Sequence, residues 1–447
     1  MATARVLRRE PGAAGAWREY LAGAVARAEL CLPEGADAAA ARAAGALLAA
    51  RWAGRARVAL DARGLARERA LDLAEGASLR AWRMPAQRRD ADPDAPRLAR
   101  LDLVLDAPAA ASAEWAARAA ALRGAAFARD LVAEPANSLT PMTLAGRMGA
   151  LAAHGVAVEV LDARALRRLR LGALLAVGGG AAHPPCLAVL RWPGGPGTRN
   201  GARPIAFIGK GITFDTGGLC IKPAERMWDM RADMAGAAAC AGAMLALALR
   251  RAPVPAVAVL ALAENTTGAA SYRPSDILTM HDGRTVEVVD TDAEGRLVLA
   301  DALAYAARRF RPRALVDVAT LTGAIVVALG RHMAGLFAND DALAALVREA
   351  GAAVGERVWR MPIGEGHVAD LESGIADLRQ CASGRFLPDA CHAAAFLRAF
   401  AGAVPWAHLD IAGVEAVEEA DDAHAAGPTG FGARLLDELT RRLGAAA

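Results

Sequence analysis

The segment Pro204-Ile-Ala-Phe-Ile-Gly-Lys-Gly-Ile-Thr-Phe-Asp-Thr-Gly-Gly-Leu-Cys-Ile-Lys-Pro223 opens as an apolar run and closes in charged residues and glycines. Its first part, residues 205–208, reads as a strand. Similar apolar runs of strand length occur at 173–177, 187–190, 257–262, 314–318 and 408–411. Helical patterns alternate with them at 143–153, 236–249, 297–310, 342–350, 392–400 and 431–443. Largely apolar strands separated by helices predict an α/β fold whose mostly parallel central sheet is sandwiched by helices. In such sheets ligands collect beyond the carboxyl ends of the strands. Lys210 and Asp215 follow the first run, Glu264-Asn265 another and Thr320-Leu321-Thr322-Gly323 a third.

The chain has 447 residues, too many for one core, so two domains are expected. Residues 1–83 carry Ala- and Arg-rich helical patterns with a strand candidate at 57–60. A polar, proline-punctuated loop is expected at 84–99, a strand at 101–105 and a helix at 112–132. This part offers no cluster of His, Cys or acids at ligand spacing. It reads as a small N-terminal α/β domain with its linking helix, residues 1–125, ahead of a larger catalytic domain at 126–447.

Net charge is only +3, which argues against nucleic acid as the main partner. The six cysteines fall at irregular spacing, as free thiols of a reducing compartment would. No apolar leader core opens the chain, and no uncharged run approaches membrane-spanning length. A soluble cytoplasmic protein without membrane contact is therefore expected.

Lys and Arg together number 52, yet only Lys210 and Lys222 are lysines. Both cations solvate a surface, but only lysine readily becomes a neutral amine, as ligand or base. The two lie beside Asp215 and Asp233. A second motif, Asp290-Thr-Asp-Ala-Glu-Gly-Arg296, crowds three acids before a helical pattern. One acid there serves as an N-cap; three repel one another unless a cation sits among them. With Asp215 and Asp233 added, a pair of divalent metals is the natural cation, because carboxylates are hard donors that can bridge. A neighbouring dication would favour the neutral form of Lys210. Lys222 is better left charged, facing an oxygen that gains negative charge. Arg296, at a helix start, suits a small oxyanion or a substrate carboxylate.

Rival readings fail on single residues. An EF-hand loop from Asp290 would need a bidentate Glu where Asp301 stands. Asp215-Thr-Gly lacks the second copy that an aspartic protease requires. Gly209-Lys210 is no phosphate loop, since Pro204 takes the first glycine position. His408, on an apolar strand, reads as a packed core residue. A non-catalytic DNA-binding scaffold is disfavoured by the weak charge and the lack of an aromatic-interleaved basic patch.

Taken together, Gly-Lys-Gly-Ile-Thr-Phe-Asp-Thr-Gly-Gly, Ile-Lys-Pro, Met-Arg-Ala-Asp-Met-Ala-Gly-Ala-Ala, Asp-Thr-Asp-Ala-Glu-Gly-Arg-Leu, Ala-Thr-Leu-Thr-Gly-Ala and Trp-Ala-His-Leu-Asp-Ile-Ala-Gly resemble the leucyl (cytosol) aminopeptidase family over roughly residues 125–445. The resemblance implies a metallo-aminopeptidase with two divalent metals, zinc or manganese. Asp215 and Glu294 would bridge the metals; Lys210 and Asp233 would complete one shell and Asp292 the other. Lys222 would polarise the scissile carbonyl and stabilise the gem-diolate, while Arg296 would hold a bicarbonate as general base. Met230, Thr320 and Gly323 would wall the pocket for the first side chain, and Leu321 would offer backbone contacts. The implied reaction is attack of a metal-activated hydroxide on a peptide whose free α-amine binds one metal, hence an exopeptidase. A homohexamer with inward-facing sites is implied as well. Three features depart from the family pattern: Asp290 stands where Asn is usual, residues 381–391 replace a glycine-rich loop, and the acidic run 415–422 reads as a solvated loop.

Overall fold

The computed structural model describes residues 2–9, 17–22, 25–33, 35–55, 57–85, 87, 89, 98–382 and 388–445. The chain divides into two units, Met1–Leu122 with Val417–Gly427, and Arg123–Ala416 with Pro428–Ala447.

In the first unit, strands β1 (Ala2–Arg9), β2 (Trp17–Ala22), β3 (Val25–Pro33), β4 (Arg57–Asp61) and β5 (Arg100–Val104) form a sheet in the order β2-β3-β1-β4-β5. Only β2 runs against its neighbour. Helices α1 (Ala38–Arg51) and α2 (Arg67–Ala81) accompany the sheet, and Leu30, Leu48, Trp52, Val58, Leu60 and Leu73 share one core cluster. The helical reading is thereby corrected for residues 2–9, 17–22 and 25–33. Alanine and arginine favour helix locally, but the backbone groups of β1 find partners on β3 and β4, a nonlocal gain invisible to propensity. The strands expected at 57–60 and 101–105 are present. Most of the loop expected at 84–99 lies outside the described residues.

Helix α3 (Pro108–Ala133) carries the chain into the second unit. There, β6 (Ala157–Leu161), β7 (Cys186–Trp192), β8 (Ile205–Asp215), β9 (Ala256–Asn265), β12 (Ala314–Ala319), β13 (Ala334–Ala338), β14 (Val358–Arg360) and β16 (Trp406–Asp410) form one sheet, ordered β14-β13-β16-β12-β8-β9-β7-β6. The four central strands, β16, β12, β8 and β9, are parallel; reversals occur at the flanks. The short strands β10 (Ile277–Thr279), β11 (Thr285–Glu287) and β15 (Leu378–Arg379) make a separate small sheet.

Both faces of the large sheet are buried, as the near-continuous apolar runs require. Ile205 and Phe207 join a core cluster with helices α4 (Pro141–Met148), α7 (Ala235–Leu249), α10 (Asp341–Val354) and α13 (Ala433–Ala445). Ala206 and Ile208 join the opposite cluster, with α5 (Ala163–Leu169), α6 (Gly172–Val177), α8 (Glu294–Phe310), α9 (Gly323–Leu329) and α12 (Asp389–Ala401). The short α11 (Glu365–Ala369) is solvent-facing. One helical stretch that includes charged residues, Met227–Leu249, is long and apolar enough to cross a membrane by length and composition, and 89% of its window is buried inside the protein. His408 is fully buried, its Nδ1 2.5 Å from Asp317 Oδ1, and it packs as a core residue. The five cysteines with described side chains form no disulfide. Of the acidic run, residues 418–422 are exposed, whereas Glu415 is half-buried and its carboxyl is raised by burial.

The run at 173–177 is a helix, not a strand. Five apolar residues without a period fit either form, and a distant side chain decides: Asp301 Oδ2 accepts from Ala173 N (2.9 Å) and Leu174 N (3.0 Å), satisfying the first amides of α6. Its Oδ1 accepts from His281 N at 2.8 Å. Burial pushes the Asp301 carboxyl up to about 7, against these three donors, which favour the charged form. Asp301→Ala, by stranding three amides, should lower unfolding stability by about 2–4 kcal/mol in a urea titration, with the slope unchanged.

Candidate active site

The polar residues gather beyond the carboxyl ends of the parallel strands. Strand β8 brings Lys210 and Asp215, and its register against β9 shifts between Ile212 and Asp215, a bulge that re-aims the terminal carboxylate. Lys210 is 3% exposed; its Nζ lies 2.7 Å from Asp233 Oδ1 and 2.9 Å from Glu294 Oε1, and donates to Thr320 O at 2.8 Å. The Lys222 Nζ lies 2.8 Å from Asp215 Oδ2 and 2.5 Å from Asp292 Oδ1. Carboxylate oxygens of Asp215, Asp292 and Glu294 all lie within 4.8 Å of one another. Two ammonium groups thus hold four acids together.

Electrostatics follow from burial and crowding. Burial raises the Asp233 and Glu294 carboxyls, and neighbouring acids reinforce it. Burial, then Asp215, pushes Asp292 up to about 7 although Lys222 pulls the other way. For Lys210 burial disfavours the charge, but Asp233, Glu294 and Asp215 outweigh it and raise the amine; for Lys222, Asp215 and Asp292 do the same.

The donor set fits divalent cations. Asp233 Oδ2 and Glu294 Oε2 are buried and have no hydrogen-bond partner among the described residues. A buried carboxylate oxygen left without a donor is costly, and hard oxygen donors in this number suit a hard or borderline dication.

The turn carrying Asp292 and Glu294 is fixed from outside the motif. Gln380, fully buried after β15, accepts from Val289 N and Asp290 N at 3.0 and 3.1 Å and donates to Ala293 O at 2.9 Å. Thr291 Oγ1 donates to Gly217 O (2.7 Å) and accepts from Cys220 N (2.8 Å), tying this turn to the loop between Asp215 and Lys222. Gly217 has φ +87, and a Cβ there would meet Cys220 O at 2.4 Å, so only glycine makes this turn. Asn265, at the end of β9, donates to Asp215 Oδ1 at 2.7 Å and Thr291 O at 2.9 Å. Asp290 Oδ1 accepts from Asp292 N at 2.9 Å and so braces the turn.

Arg296 is 2% exposed. Its Nη2 donates to Asp389 Oδ1 at 2.7 Å, while its Nε has no partner among the described residues. The guanidinium makes no direct contact with the six-residue cluster among the described residues. Thr320 Oγ1 donates to Asp233 Oδ1 at 2.7 Å, and Asp233 N donates to Met230 O at 3.2 Å, so both residues adjoin the cluster. Asp410, at the end of β16, accepts from Leu321 N (3.0 Å) and Thr322 Oγ1 (2.7 Å), fixing the segment that leads to Gly323 at the start of α9. Residues 383–387 of the departing 381–391 stretch lie outside the described residues. Gln380, Asp389 and Asp410 are not among the site residues expected from sequence, and Asn265 is named there only as the polar end of a strand. Asn265 and Asp410 could be suspected as polar ends of apolar strands; Gln380 and Asp389 carry no such signal.

Known proteins resemble this chain over most of its length. The model of the cytosol aminopeptidase family, catalytic domain, matches residues 126–437. A probable cytosol aminopeptidase of Gluconobacter oxydans is 47% identical over 366 residues, 82% of this chain and 74% of the relative. One from Methylobacterium radiotolerans is 45% identical over 402 residues, 89% and 79% of the two chains. Among solved structures, the bottromycin maturation enzyme BotP in complex with Mn superimposes with a TM-score of 0.89 at 35% identity, covering 99% of each chain. The chain therefore belongs to the cytosol aminopeptidase family of metal-dependent exopeptidases, hydrolases that act on peptides.

Proposed function

We propose that this enzyme releases N-terminal residues from peptides at a dinuclear centre, zinc or manganese, held by Lys210, Asp215, Asp233, Asp292 and Glu294. The observation that carries the reading is the pair of partnerless buried oxygens, Asp233 Oδ2 and Glu294 Oε2, in a cluster of crowded acids. In this reading Asp215 and Glu294 would be shared between the two ions, Lys210 and Asp233 would help to hold one of them and Asp292 the other. Bound there, two divalent ions supply Lewis acidity and lower the pKa of a water toward neutrality.

The protein's own groups do the rest. Lys222, at the more open side of the cluster with its side chain 21% exposed, keeps its proton and faces the carbonyl oxygen as that oxygen gains charge. Arg296 would hold a bicarbonate at its unpartnered Nε, and that anion would supply general-base chemistry for the attacking water and the leaving amine. Met230, Thr320 and Gly323 wall the pocket for the first side chain and Leu321 offers backbone contacts; the bonds of Thr320 and Met230 to Asp233 support that position.

Residues 1–125 are proposed as a small N-terminal domain and 126–447 as the catalytic one, in line with a family match that begins at 126. Cytoplasmic residence is supported by the naming of the relatives as cytosol aminopeptidases. Assembly as a homohexamer rests on the family resemblance.

Three substitutions test the roles. Lys222→Ala should retain both metals by elemental analysis while kcat on an aminoacyl-anilide falls about 10²–10³-fold; loss of metal instead would reverse the assignment of the two lysines. Asp215→Ala should lose metal and activity together, the same outcome as EDTA treatment of the native enzyme, and retained turnover would exclude a bridging role. Gly295→Ala would place a Cβ 2.8 Å from Lys210 Nζ and 2.9 Å from Leu321 Cδ1. It should reduce both metal content and kcat at least about tenfold with unchanged circular dichroism, since a misplacement of about 1 Å is that costly.

A further inference from the structure

Charged groups gather at both ends of strand β8. Where it begins, at Ile205, a cavity of about 560 Å³ opens, lined by Arg199, Arg203, Arg250, Arg313 and Arg441 over a floor that includes Val254. At about 3.3 Å per residue, the strand sets this cavity roughly 30 Å from Asp215. No carboxylate lines it.

The charges there are unevenly matched. Arg250 Nε reaches Asp437 Oδ1 at 2.6 Å, and Arg441 shares that buried acid at 3.7 Å. Arg203 and Arg313 have no acidic partner among the described residues, and the buried Arg313 Nε has no hydrogen-bond acceptor. Burial and the charge of Arg203 both lower the Arg313 pKa, the sign expected of cations facing one another without an anion between them.

The cavity is built on fixed backbone. Gly195 N donates to Ala252 O at 2.6 Å, and Thr198 N and Oγ1 both donate to Gly195 O, at 3.1 and 2.6 Å. Ala202 N donates to Arg199 O at 3.1 Å, and Arg313 N to Pro204 O at 2.9 Å. Arginines presented on such turns can grip a doubly charged oxyanion in a bidentate manner. The volume falls within the range of small-molecule sites and exceeds what a single inorganic ion fills.

We propose that this cavity is a binding site for a small organic polyphosphate ester, separate from the peptidase centre. Two phosphoryl groups would neutralise Arg203 and Arg313 while an organic body rests on the apolar floor.

Fructose 1,6-bisphosphate is a suitable probe, with fructose as the neutral control, titrated calorimetrically into the metal-loaded enzyme at 150 mM NaCl. Saturable binding at one site per chain is expected, with none for fructose. Arg203→Ala combined with Arg313→Gln should weaken it at least tenfold while peptidase turnover stays at the native level, because neither residue approaches the carboxylate cluster. Should the double variant fold poorly, Arg203→Ala alone, at an exposed position, should still weaken binding several-fold. Absence of saturable binding at this salt would overturn the proposal. So would binding of equal strength in both variants, which would locate the anion at the metals or show an adventitious ion only.

Discussion

Four carboxylates, three of them buried and one half-buried, cannot crowd within a few ångströms unless cations sit among them. Asp215, Asp233, Asp292 and Glu294 are brought to that distance here, and Lys210 and Lys222 supply the positive charge in the arrangement seen. The protein spends stability to gather these groups, since burial alone raises three of the four carboxyls. Each ammonium bridges two acids drawn from different elements, so it acts as a clasp between strand, loop and helix start. Parallel strands make the gathering possible, because their carboxyl ends all open on one edge.

Around the cluster, neutral groups hold what charge alone would scatter. Asn265 and the amide of Gly217 fix one oxygen of Asp215; Gln380 and Thr291 fix the turn that carries Asp292 and Glu294. Asp410 fixes the segment from Leu321 to Thr322. These bonds come from strand ends and from the small sheet, elements whose own packing is apolar. The precision of the site is therefore borrowed from the two core layers that clamp the central sheet. Gly295 is a second close point, where helix α8 starts near enough to the Lys210 amine that a Cβ would displace it.

The opposite end of β8 shows the complementary pattern, a preformed cavity lined by arginines and by no carboxylate. One strand thus joins an acid-rich edge to a base-rich one. The apolar residues between them, Ile205 to Ile208, alternate into the two core clusters and insulate the ends from each other.

Much of this was readable in one dimension. The alternation of apolar strand runs with helices determined the α/β class, and the rarity of lysine, together with acids at strand ends and before a helix, singled out the residues that converge. Residue chemistry and local period are properties of the chain itself, so they survive without a structure. What the sequence could not decide was set by partners far along the chain. Residues 173–177 became helix because Asp301 satisfies their amides, and residues 2–9, 17–22 and 25–33 became strands because β4 and their own neighbours offered a ladder. Gln380 and Asp389 carry no local signal, yet one holds the acidic turn and the other the Arg296 guanidinium. Sequence by itself determined which groups are available; tertiary structure decided which of them meet, because burial and hydrogen bonding are properties of contacts and not of residues.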